Sequence, residues 1–277
     1  MKRRPQAKRP LRKPVSRTPT WVAPIAAIAG IALLVVTFLI IRWYTTPVAP
    51  PPLAVDATQR LVTSLANLPT SELDAVGTGT AQNPIKKVSG TLLTGPNGRP
   101  EVFYYGAEFC PYCAAERWPI IVALSRFGTF SGLKTTSSSS ADAYPNTPTF
   151  TFHNATYTSQ YIDFVPVETA DRDSNPLQTP TPNQQALVSQ YDTTGSIPFV
   201  DFGNRYAFSG AMYFPDVLSG LSWQAIADSL KQPDSPQAKA ILGSANLITA
   251  AVCKVTADQP PTICSSASIQ AIEKTLG

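Results

Sequence analysis

Residues 101–127 read EVFYYGAEFCPYCAAERWPIIVALSRF, and this stretch governs the reading of the fold. Glu101–Gly106, EVFYYG, is a short aromatic and β-branched run, which predicts a strand buried on both faces. Cys110-Pro111-Tyr112-Cys113 follows. Ala114–Phe127 then reads as a helix, with Trp118, Ile121, Val122, Leu124 and Phe127 spaced for one face. Pro119 lies inside it and predicts a kink. A strand, a Cys-x-x-Cys and a helix together suit dithiol chemistry. The first Cys falls at a helix N-terminus, where unpaired N–H groups and the helix dipole favour the thiolate, the attacking species. Cys110 is therefore expected as the exposed nucleophile and Cys113, one turn along, as the sheltered resolving thiol. Pro111 lacks an N–H and suits the first turn.

Two other uses of the motif weigh less. A zinc site needs two more soft ligands. Cys253, Cys264 and His153, the single His, could supply them, but none has ligand-pair spacing, so no metal is expected. A purely structural disulfide within adjacent turns of one helix would staple little. Cys253 and Cys264 are instead expected to form a structural disulfide between C-terminal helices, as an exported protein retains such bonds. A second redox pair at these two positions is the alternative.

The ends of the chain differ in charge. Eight of the 22 Lys and Arg lie within the first seventeen residues. Beyond Arg42, 13 basic residues face all 18 acidic ones, so that portion carries about −5 despite the overall +4. A nucleic-acid-binding domain is not expected there. Val22–Ile41 is twenty uncharged residues flanked by Trp21 and by Trp43-Tyr44. That length spans a hydrocarbon core of roughly 30 Å, with aromatics at both interfaces. The basic flank keeps the N-terminus cytoplasmic and exports the rest. A cleavable signal peptide would have a shorter apolar run. The division expected is 1–20 basic tail, 21–43 transmembrane helix, 44–67 Pro-rich linker and short helix, and 68–277 folded domain.

Along the exported part, TTPVAPPPLA over Thr45–Ala54 predicts an extended spacer. Asp56–Leu68 predicts a short amphipathic helix. Residues 131–148, rich in Ser, Thr, Pro and Gly, read as a strand end and a loop. Phe150–Phe152 and Tyr161–Val167 read as two strands, paired as a hairpin turning near His153-Asn154. Asp171–Pro182 is loop and Asn183–Tyr191 a short helix. Ile197–Phe202, the turn Gly203-Asn204 and Arg205–Phe208 form a hairpin signature. Ser222, Ser235 and Ser268 each precede a predicted helix. Glu116 and Arg117 read as a solvated helix face.

Gly195-Ser196-Ile197-Pro198-Phe199 and the hairpin after it, taken with the Cys motif, resemble the thioredoxin superfamily. The resemblance implies an α/β thioredoxin-like fold with an inserted segment and a helical C-terminal extension. It implies a cis peptide at Ile197–Pro198 facing the Cys pair. It also implies a peptide-binding surface formed by Ile197, Pro198, Pro111 and Tyr112. FYYGAEFCPYCAAERWPIIVALSRFG and TFTFHNATYTSQYIDFVPVE are similar, more closely, to the domain of unknown function 929 family. That resemblance covers roughly Leu68 to the C-terminus and brings no substrate. One departure stands out: where many thioredoxin-like proteins carry a buried acid, six residues before the first Cys, this chain has Tyr104. Proton transfer at Cys113 is then open among Glu108, Glu116, Tyr104 and water.

The expected function is thiol–disulfide exchange on exported proteins, by oxidation, isomerisation or reduction. The redox-active disulfide itself would be the only cofactor, and a membrane partner would reset it. The competing expectation is a redox-inactive module binding a peptide or partner.

Overall fold

The computed structural model describes residues 22–45, 49–82 and 84–276. The basic tail expected over 1–20, and Trp21, lie outside the described residues. The chain divides into two compact units, Met1–Thr46 and Pro47–Gly277. In the first, Val22–Thr45 forms one α-helix, α1. Its side chains from Ala27 to Ile41 make a continuous apolar stretch. Ile28, Leu33, Leu34 and Phe38 on it are all exposed.

The second unit begins with α2 (Val55–Ala66) and α3 (Thr70–Val76). The strands β1 (Lys86–Lys87) and β2 (Glu101–Gly106) follow, then α4 (Pro111–Leu124). Four short strands come next: β3 (Gly128–Ser131), β4 (Lys134–Ser137), β5 (Pro148–Thr151) and β6 (Thr156–Ser159). After them stand β7 (Asp163–Glu168), α5 (Pro182–Tyr191), β8 (Phe199–Phe202) and β9 (Tyr206–Ser209). The chain closes with α6 (Trp223–Ser229), α7 (Pro236–Val255), α8 (Pro261–Cys264) and α9 (Ala267–Glu273).

The main sheet is mixed, in the order β1-β9-β8-β2-β7. β7 runs parallel to β2, and β8 antiparallel to it. Side chains alternate across a strand, so β2 serves two cores. Val102 and Tyr104 join the large core, together with Val200, Phe202 and Phe208 from the hairpin β8–β9. Phe103 joins a smaller core with Val167, Val188, Phe199 and Ala207, under α5. Helices α4 and α7 pack against each other on the large-core side. α7 is long and apolar enough to cross a membrane, but 83% of its most apolar window is buried, which makes it the central core helix of this unit. α2 also contributes Leu61, Val62 and Leu65 to the large core.

Local signals place the helix ends. Thr181 and Gln184 form a reciprocal capping box at α5, which satisfies two otherwise unpaired donors. Ser222 and Ser235 accept from Ala225 N and Ala238 N at 3.2 and 3.0 Å, capping α6 and α7. α9 starts at Ala267 with Ser266 at its N-cap, ahead of the expected Ser268, and the Ser268 hydroxyl donates to Asp74 on α3.

Two expectations are corrected here. The turn at His153-Asn154 exists, with Asn154 at φ 61°, but the flanking strands do not form the hairpin expected of Phe150–Phe152 and Tyr161–Val167. β5 pairs with β4, β6 with β3, and β7 enters the main sheet beside β2. A strand with a long parallel partner available gains a full ladder from it, and local pattern does not reveal a pairing across sixty residues. The Ser- and Thr-rich stretch supplies β4, whose Thr135, Thr136 and Ser137 are buried. The second correction is that Glu116 and Arg117 are fully buried, because α4 is enclosed on all sides rather than presenting a wet face.

Candidate functional site

The C-terminal end of β2 delivers the chain into Cys110. Its φ of −75° and ψ of 122° are those of an extended N-cap residue, and Cys113 N–H donates to its Sγ at 3.3 Å. The helix starts at Pro111, one turn earlier than the apolar spacing indicated, since the motif itself forms the first turn. Both cysteines are free thiols. Neither is openly exposed, which corrects the expectation for Cys110: it keeps 6% of its surface and Cys113 none.

The peptide bond Ile197–Pro198 is cis, as expected, and leads into β8. The Ile197 carbonyl oxygen lies 3.7 Å from Cys110 Sγ, within reach of a thiol hydrogen. Ile197 and Tyr112 are half-buried, whereas Pro111 and Pro198 are buried. Of the four positions expected as a peptide surface, Ile197 is the one whose carbonyl reaches the Cys110 sulfur, while Pro111 and Tyr112 directly follow Cys110 in the chain and Pro198 follows Ile197.

The thiols divide their proton unequally. The Cys113 thiol, donating to Cys110, outweighs burial and, with the Cys113 N–H, brings Cys110 from 9.0 down to about 7. Burial, then the neighbouring Cys110, pushes Cys113 well up. Near neutral pH Cys110 is therefore the sulfur that ionises.

Beneath Cys113 lies a cluster the sequence did not disclose. Arg117 follows one helical turn later, on the same face. Its Nε and Nη2 donate to the two carboxylate oxygens of Glu168 on β7 at 2.8 and 2.7 Å, both side chains fully buried. Burial alone would discharge Arg117, and the Glu168 carboxylate more than reverses this. Phe152 N–H adds a third donor to Glu168, at 3.3 Å. The guanidinium also sits 5.7 Å from the centre of the Tyr104 ring, which packs edge-on against Phe152. Gly106 makes the crowding possible. A Cβ there would collide with the Tyr104 hydroxyl and lie 3.1 Å from Cys113 Sγ. Cys113 and Arg117 at i and i+4 were a signal available in the sequence; Glu168, 51 residues from Arg117, was not.

The other proton-transfer candidates point elsewhere. Glu116 accepts from Met212 N–H at 2.9 Å, and Glu108 accepts from the Thr136 hydroxyl at 3.4 Å. His153 is half-buried at the turn between β5 and β6. Loop 138–147 reaches the rim of the site: Ser139 N–H donates to Phe109 O at 2.9 Å, and the Tyr144 ring meets Tyr112 edge-on at 5.9 Å. Later in the chain, Cys253 and Cys264 form a disulfide between α7 and α8. Among the described residues no group of three or more His, Cys, Asp or Glu is arranged to hold a metal.

A family model described as Domain of unknown function (DUF929) matches residues 84–254. The chain belongs to that family. No curated protein and no solved structure matches it.

Proposed function

We propose that this protein is a membrane-anchored, extracytoplasmic thiol–disulfide oxidoreductase with a thioredoxin-like domain, acting through Cys110 and Cys113. The observation that carries the reading is the placement of Cys110. Its sulfur caps α4, accepts the Cys113 N–H and faces the Ile197 carbonyl at 3.7 Å. The strand–helix–strand of β2, α4 and β7, followed by the hairpin β8–β9 and helix α7, supports the thioredoxin-like assignment. β3–β6 are its inserted segment, and α8 and α9 its helical extension. The exposed apolar run on α1 supports a membrane anchor, and the charge asymmetry of the sequence supports export of the domain.

In this reading a substrate thiolate attacks Cys110 Sγ in the oxidised pair. The Cys110–Cys113 bond breaks and its electron pair leaves on Cys113. A second substrate thiolate then attacks the substrate sulfur of the mixed disulfide and releases Cys110 as thiolate. The substrate dithiol is oxidised to a disulfide and the Cys pair is reduced. The same steps in reverse describe a reductase. Substrates are exported protein thiols or disulfides docking as extended backbone against Ile197, and a membrane redox partner resets the pair.

The test is thiol trapping of the full-length protein against glutathione, with Cys113→Ser alongside to hold mixed disulfides. A reversible transition above about −200 mV supports an oxidase or isomerase, and one near −270 mV a reductase. No reversible transition, and no trapped mixed disulfide, would overturn the proposal. The near-complete burial of Cys110 favours a second reading, a partner-binding module with an unreactive pair. Full activity in Cys110→Ser would support it.

A further inference from the structure

Tyr104 Oη and Arg117 Nη1 are both buried and, among the described residues, have no hydrogen-bond partner. Both can donate, and an unmet buried donor is costly. Each borders Cys113. The space that a Cβ on Gly106 would fill is bordered by both the Tyr104 hydroxyl and Cys113 Sγ, and Arg117 lies one turn along the helix. We infer that Tyr104, with the Arg117 guanidinium against its ring, is a built donor site for the Cys113 thiolate when that sulfur leaves the disulfide.

This inference rests on the exchange chemistry proposed above and names the groups that receive its charge. When a thiolate attacks Cys110 and the S–S bond breaks, the electron pair stays on Cys113, inside a fully buried pocket. A bare thiolate there would be strongly disfavoured. The Tyr104 O–H donates to it until water supplies a proton. The guanidinium 5.7 Å from the ring makes the phenol a stronger donor, and Glu168 holds that guanidinium in place through two hydrogen bonds. The charged and titratable groups facing Cys113 are Cys110 at the N-cap of α4, Arg117 on α4 and Tyr104 on β2, with Glu168 on β7 behind Arg117. Glu116 is turned towards Met212 and Glu108 towards Thr136. In the reduced state Cys113 keeps its proton and both donors wait, which accounts for their lack of a partner.

Tyr104→Phe tests this in the full-length chain in detergent, since the ring and its packing on Phe152 remain. The readouts are the rate at which dithiothreitol reduces the Cys110–Cys113 disulfide, followed by mass-tagging and peptide mapping, and the pH profile of Cys113 by Cβ chemical shift. Reduction should slow by about tenfold, as a hydrogen bond to a charged group is lost, and Cys113 should ionise at higher pH. Tyr157→Phe is the control: that hydroxyl already donates to Leu124 O at 2.8 Å, and its removal should leave the rate unchanged. Equal rates and equal Cys113 profiles in wild type and Tyr104→Phe would overturn the inference while leaving the exchange activity standing. A wild-type pair that does not exchange at all would instead remove the proposed function. Should Tyr104→Phe unfold, the Cys113 profile of Arg117→Lys decides: it should shift upward, and an unchanged profile would also overturn the inference.

Discussion

Arg117 and Glu168 meet in a bidentate ion pair with neither side chain exposed to solvent, one helical turn beneath Cys113. The pair ties α4, the helix that follows β2 in the chain, to β7, the strand paired with β2 in the sheet. Two ions without water are stable only when each satisfies the other.

Breaking that pair from one side should therefore be severe. Arg117→Met or Glu168→Gln leaves the other ion short of its partner and should cost about 3–5 kcal/mol of folding stability. The double variant Arg117→Met/Glu168→Leu should recover most of the loss, because it removes both charges. Urea denaturation of the reduced protein measures this, and a double variant as unstable as the worse single one would contradict it.

Glu116 should set a pH dependence of stability. Burial raises its carboxyl from 4.5 to about 8, against the Met212 N–H, which favours the charged form. The folded state thus binds this proton more tightly than the unfolded chain does. Its contribution is complete below the unfolded value of 4.5 and is lost as pH rises through about 8. Glu116→Gln keeps an acceptor for Met212 N–H and should flatten this part of the stability profile. Denaturation midpoints across that interval, variant against wild type, provide the check.

Cys110 should act with the opposite sign. Its folded value of about 7 lies below the ordinary 9.0. The stabilisation is complete above the unfolded value and disappears as pH falls through about 7. Reduced protein should gain stability from about 7 towards 9, and Cys110 alkylation by iodoacetamide should rise with a midpoint near 7. The two measurements should agree, and Cys110→Ser should abolish both effects. An alkylation midpoint near 9.0 would mean that Cys113 does not stabilise the thiolate.

Removal of Cys253–Cys264 should affect stability alone. The bond closes a short loop of sequence separation 11, and the Cys253→Ser/Cys264→Ser variant should lose roughly 2–3 kcal/mol on the chain-entropy account. Its exchange rate at Cys110 should match wild type. A slower rate with unchanged stability would instead assign this disulfide to electron transfer.

Local signals carried much of the fold. Strand β2 and the capped helix after it follow from EVFYYG and the Cys-x-x-Cys, because strand burial and helix termini are encoded within a few residues. Ser222 and Ser235 mark helix starts for the same reason: each cap bonds an amide three positions on. The hairpin β8–β9 was legible from its Gly203-Asn204 turn. The position of Ile197–Pro198 beside the cysteines was legible only through resemblance, since 87 residues separate Cys110 from Ile197.

The tertiary structure alone decided what surrounds Cys113 and which strands pair. Arg117 and Glu116 have the composition of a wet helix face, and only the enclosure of α4 by β5, α2 and α7 turns them inward. The partners of β5, β6 and β7 were likewise beyond local reading, because hydrogen-bond ladders depend on which distant strand arrives alongside. The Cys-x-x-Cys and its helix start were set by local sequence, which is why Cys110 could be placed at the N-cap and Cys113 one turn inside without the fold. What supports Cys113 was set by the packing, because a buried charge is tolerated only where distant elements bring its partner.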